Sequence, residues 1–159
     1  MSDFAKFKAD QWANAIVAIA KKDAPLDWFL GKVFWGLSVW CVTGSFQREK
    51  IPKWTRRSDA ARDALNTISN DASSEVKLRF EHPRPIKEMY RIAREERETL
   101  TKERLYEIIG EYPPIVITVE EDNAIPKEFK ASGNPEDRYK GIALSTCTLR
   151  SWPSPYANR

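Results

Sequence analysis

Residues 27–42 read Asp27-Trp28-Phe29-Leu30-Gly31-Lys32-Val33-Phe34-Trp35-Gly36-Leu37-Ser38-Val39-Trp40-Cys41-Val42. The run is apolar on nearly every side, which predicts a central helix buried all round. A membrane-spanning helix needs about 20 predominantly apolar residues. This run is shorter and carries Lys32, so no membrane partner is expected. Gly31 and Gly36 would let neighbouring backbones approach closely. A rival reading of the same residues is an exposed aromatic face that binds a partner.

On the N-terminal side, residues 3–22 have the spacing of an amphipathic helix, with Phe4, Phe7, Ile16, Ile19 and Ala20 on one face. Ser2 or Asp3 can cap it, and Lys21 and Lys22 suit its C-terminal end. Pro25 interrupts the chain. On the C-terminal side, Thr43-Gly44-Ser45 ends the apolar helix, and the basic stretch 46–57, with Pro52 and Trp54, reads as a loop. A helix over 58–69 follows, capped by Ser58 or Thr55, with Ala60, Ala61, Ala64, Leu65 and Ile68 on one face. Asn70 to Ser74 is a polar turn.

Glu75 to Phe80 alternates polar and apolar residues, as a half-buried strand does. Pro83 and Pro85 end it, because proline cannot continue a ladder. Pro85 then opens a helix over 86–98, with Ile86, Met89, Tyr90 and Ala93 inward. A helix over 102–110 begins at Thr101, with Leu105, Ile108 and Ile109 inward. Ile115-Val116-Ile117-Thr118-Val119 predicts a second strand, and Thr118-Val119-Glu120-Glu121 matches a capping box that starts a helix running to about Ile125. Beyond it, Gly133-Asn134-Pro135 is a turn, Arg138, Tyr139 and Ile142 add one short helix, and residues 150–159 form a proline-containing tail. The expectation is a single α+β domain over 1–159, predominantly helical, with five or six helices and a sheet of two or three strands.

The composition agrees with a soluble fold. The 159 residues are 42% hydrophobic and 31% charged, with six tryptophans and seven phenylalanines, enough to build a core and too apolar for a disordered chain. Cys41 and Cys147 belong to no C-x-x-C pair, which argues against a zinc knuckle and leaves two readings, two reduced, mostly buried thiols or a single disulfide between them. Met1-Ser2-Asp3-Phe4 lacks a basic stretch followed by an apolar one, so no signal peptide and a cytoplasmic location are expected. Phosphate-binding glycine loops and the G-x-S-x-G elbow are absent.

The lone histidine, His82, lies in Phe80-Glu81-His82-Pro83-Arg84-Pro85, at the end of the first strand. An acid, then histidine, then proline three positions on resembles the opening of the His-Me finger (HNH) nucleases, which often start Asp/Glu-His-x-x-Pro. The resemblance covers at most residues 76–125. It implies that His82 is the general base that takes a proton from water. It implies that Glu81, with Asp122 or Asn123, holds a divalent metal, Mg or Mn, to stabilise charge on the phosphoryl oxygens. It also implies a ββα unit, which requires the two strands to pair with the helices of 86–110 inserted between them. The chain departs from the family pattern in having no second histidine. The purely structural reading of these residues differs. His82 then caps a turn or satisfies a carbonyl, Glu81 pairs with Arg79 or Arg84, and Asp122 and Asn123 serve a helix N-terminus.

Net charge is +3, and its distribution matters more than its sum. The stretch from Arg48 to Arg57 mixes Arg48, Lys50, Lys53, Arg56 and Arg57 with Trp54, whereas 107–122 is acidic. With Arg84, these cations are candidates to contact phosphate while Trp54 stacks on a base. The alternative is that they coat an ordinary loop. Two functions follow. One is a nucleic-acid-associated protein, a diverged metal-dependent nuclease of the His-Me type. The other is a non-enzymatic interaction module, such as an inhibitor, antitoxin, immunity factor or phage-encoded adaptor, that meets an acidic protein partner through a charged or aromatic surface.

Overall fold

Small residues decide how the first helix packs. Ala9, Ala13, Ile16 and Ala20 are buried on one stripe of α1 (Asp3–Lys21), whereas Phe7, expected inward, is 58% exposed. The alanine stripe lets α2 (Trp28–Thr43) pack closely against α1. Trp12 of α1 lies over Gly36, where an added Cβ would stand 2.4 Å from the indole edge. Only a residue without a Cβ fits there. Asp27 caps α2 by accepting from the Leu30 N–H at 2.7 Å, and Gly44 closes it in the left-handed region (φ 66°).

The computed structural model describes residues 3–44, 55–70, 77–132 and 138–139. The remaining elements are α3 (Asp59–Asn70), β1 (Leu78–Glu81), α4 (Ile86–Glu95), α5 (Lys102–Glu111), β2 (Ile115–Thr118), α6 (Val119–Ala124) and α7 (Lys127–Ser132). The fold is mostly helical, with seven helices among the described residues and a small two-stranded antiparallel sheet. The expected helix over 86–98 ends at Glu95, and α7 was not anticipated. Arg48, Lys50, Lys53, Trp54, Val76, Ile142, Cys147 and the tail 150–159 lie outside the described residues.

Two cores organise the chain. The larger joins α1, α2, α4 and α5 through Ile16, Phe34, Leu37, Trp40, Met89, Tyr90, Leu105 and Ile108. Phe34 and Tyr90 meet edge to face at 6.5 Å, and Tyr90 donates its hydroxyl proton to the Ala24 carbonyl at 2.9 Å. All-round burial of α2 holds for Phe34 and for Gly36 through Cys41. The first turn departs from the expectation: Trp28 and Phe29 are exposed. That turn stands at the tip of the α1–α2 hairpin. The smaller core gathers Ile115, Ile117, Ile125, Tyr139 and the edge of Phe129.

The strands pair with Leu78 opposite Thr118 and Glu81 opposite Ile115. Helices α4 and α5 are inserted between them, and α6 follows β2 directly and packs on both strands. The other edge of β2 is met by the chain entering α3: Val116 exchanges bonds with the Arg56 carbonyl at 2.8 Å and the Ser58 N–H at 3.0 Å. The capping box at Thr118 forms, with Glu121 returning to the Thr118 N–H. Ser58 caps α3 at the Ala61 N–H and donates to Glu121 at 2.6 Å, which fastens α3 to α6.

Candidate functional site

Glu81 is the last residue of β1 and is only 6% exposed. Its carboxylate accepts from both the Nε and the Nη2 of Arg138, the former at 2.9 Å, and from the hydroxyl of Tyr139. Arg138 also donates to the Phe129 carbonyl in α7. A carboxylate and a guanidinium are therefore buried together, with most of their hydrogen-bonding capacity filled by one another and by nearby backbone. Burial, and then the Glu81 carboxylate, push the Tyr139 phenol above its ordinary range. The expected partners of Glu81 are engaged elsewhere: Arg79 with Asp122 at 2.5 Å and Arg84 with Glu111 at 2.7 Å.

His82 turns to the opposite layer. Its ring is 8% exposed, and Nε2 lies 2.6 Å from Ser38 Oγ in the middle of α2. Ser38 also donates to the Trp35 carbonyl at 2.7 Å. A serine hydroxyl has one proton. With that proton on the Trp35 carbonyl, Nε2 carries a hydrogen and donates it to Ser38. In this tautomer both groups are satisfied, and the pair links the end of β1 to α2. Burial pushes the imidazole down to about 3, and the charge of Arg138 adds to the effect. The ring is therefore neutral across the physiological range.

Asp122 and Asn123 lie on α6, which leaves β2 at the Thr118 end. Glu81 lies at the other end of the ladder, three pairs away, or about 10 Å at the usual strand rise. Asp122 is neutralised by Arg79 and by Lys130 at 3.1 Å, and Asn123 is exposed. No hydrogen bond or ion pair among the described residues joins Glu81 or His82 to either of them. No group of three or more His, Cys, Asp or Glu among the described residues is arranged to hold a metal ion. Arg56 and Arg57 follow the β2 edge, where Arg57 Nε donates to the Thr55 carbonyl at 3.0 Å, and the Arg84 guanidinium stacks 4.3 Å from the Tyr112 ring. Cys41 is a free, buried thiol whose ionisation is pushed well above the usual range by burial.

Sequence reasoning missed three residues of this constellation: Ser38, Arg138 and Tyr139. Ser38 had a signal, since a hydroxyl inside an apolar helix needs a partner from elsewhere. Arg138 and Tyr139 had none, because 57 and 58 positions separate them from Glu81. No protein-family model, curated protein or solved structure matches the chain.

Proposed function

We propose that this chain is a non-enzymatic interaction module. One observation carries the reading: the two residues with the best catalytic credentials, Glu81 and His82, are buried and joined to Arg138, Tyr139 and Ser38. A general base must reach the proton it abstracts, directly or through one water. The imidazole pushed down to about 3 is also a weak base for that task. What the described residues offer to the outside is charged surface, including the arginines near β2. An acidic protein partner suits those cations.

One feature favours a second reading, the His-Me-type nuclease: β1, β2 and α6 follow one another as a ββα unit interrupted by α4 and α5. In that reading His82 is the base, Glu81 and Asp122 or Asn123 take Mg or Mn, and Arg56, Arg57 and Arg84 contact phosphate. A single experiment separates the two. Plasmid DNA is incubated with the protein and Mg²⁺ or Mn²⁺, using wild type and His82→Gln, and both are used as bait in the native host. The module reading expects no cleavage by either protein and the same retained acidic partner on both. Cleavage by wild type that disappears in a folded His82→Gln overturns it in favour of the nuclease.

A further inference from the structure

At the tip of the α1–α2 hairpin, Trp28 is 77% and Phe29 67% exposed, side by side in the first turn of α2. Two large rings standing this far into water are unusual on a small domain. Three exposed lysines belong to the same hairpin. Lys21 ends α1, Lys22 follows it in the turn, and Lys32, one turn along α2, holds its ammonium 5.8 Å from the centre of the Trp28 ring. Lys21, Lys22 and Lys32 pair with no carboxylate among the described residues. Of the nearby acids, Asp23 pairs with Arg94 at 2.6 Å, whereas Asp27 accepts from the Leu30 N–H and meets no cation among the described residues. The tip therefore presents aromatic surface with three lysines against one unpaired carboxylate, a net positive charge among the described residues.

The geometry points to this tip as a docking surface for an anionic lipid bilayer. Charge complementarity selects a negative partner. Side-chain chemistry selects among negative partners. A Trp and a Phe exposed together, with lysines on the same hairpin, is a combination suited to a membrane–water interface. A fluid bilayer needs no preformed concavity. It takes an indole at the headgroup level and leaves flanking lysines to reach the phosphates. Contact of this kind needs no spanning helix, and among the described residues no helix is long and apolar enough to cross a membrane. The inference goes beyond the module reading and does not depend on it, since a catalytic chain could carry the same tip.

The test is co-sedimentation with phosphatidylcholine vesicles containing about 30% phosphatidylserine, beside vesicles of phosphatidylcholine alone and a fluorescent oligothymidylate. Wild type is expected on the anionic vesicles and not on the neutral ones. Trp28→Ala/Phe29→Ala should lower the partition constant at least about tenfold. Lys21→Ala/Lys22→Ala/Lys32→Ala should lower it about a hundredfold, at roughly fivefold per lysine. All five side chains are exposed, so the thermal midpoint and helical circular dichroism should not move. The inference is overturned if wild type ignores anionic vesicles, or if the aromatic double variant binds them as wild type does. It is equally overturned if the tip variants lose only oligothymidylate binding, which assigns the tip to nucleic acid. None of these outcomes bears on DNA cleavage, so this test and that of the module reading fail separately.

Discussion

Lowering the pH from 7 to 5 should destabilise this protein through one residue, His82. In the unfolded chain its imidazole protonates near 6.5, whereas in the fold it resists protonation until about 3. Between those values the unfolded state binds a proton that the native state refuses. Stability is therefore full above about pH 6.5 and falls as the pH drops towards 3. At ~1.4 kcal/mol per pH unit, the whole interval caps the loss at about 5 kcal/mol, and pH 5 brings about 2 kcal/mol of it. The chain has no other histidine. The carboxylates held low by arginines, Asp23, Glu88, Glu96 and Glu111, contribute at lower pH still. Urea unfolding at pH 7, 6, 5.5 and 5, followed by circular dichroism, measures the slope. His82→Gln can still donate to Ser38 and should give a stability nearly independent of pH over this range. A flat wild-type profile, or the same slope in His82→Gln, would refute the burial of a neutral imidazole against Ser38.

Other perturbations test other parts of the architecture. Arg138→Met strands the Glu81 carboxylate in the smaller core and should cost about 3–5 kcal/mol in urea unfolding, with part regained in Glu81→Gln/Arg138→Met. Gly36→Ala forces a methyl onto Trp12, a contact of 2.4 Å that must relax, so a loss of about 1–3 kcal/mol is expected. Gly31→Ala meets open space in the same helix and should instead raise the thermal midpoint, by up to about 1 kcal/mol of helix propensity. Ser58→Ala removes the α3 cap and its bond to Glu121, a loss of about 1–2 kcal/mol that Thr67→Ala, on an exposed stretch of α3, should not reproduce.

Most of the secondary structure was legible because its signals are local. Caps and periodicity place α1, α3 and α5 within about a residue, and Thr118-Val119-Glu120-Glu121 marks the start of α6. The failures have a common cause. Phe7 fits a helical stripe, yet the stripe that packs is built from Ala9, Ala13, Ile16 and Ala20, and Phe7 is left exposed. Trp28 and Phe29 belong to an apolar run and were expected to be buried, yet burial depends on whether a neighbour reaches that turn. Hydrophobic pattern tells which side of a helix is apolar. It does not tell how far along the helix a partner extends.

The candidate site failed to be legible for a sharper reason. Adjacency in sequence makes Glu81-His82 look like one chemical unit. Successive side chains along an extended strand point to opposite faces. The end of β1 follows that rule: Glu81 enters the smaller core beside Tyr139, Ile115 and Ile117, while His82 reaches the larger core at Ser38. Adjacent residues therefore serve as a two-sided joint between the sheet and the helices, each buried with a polar partner of its own. For both to act on one substrate, the strand end would have to twist one of them out of its core, breaking either the Arg138 pair or the Ser38 bond. The energetic cost of that rearrangement, an uncompensated buried charge or an orphaned imidazole, is what holds the joint in place.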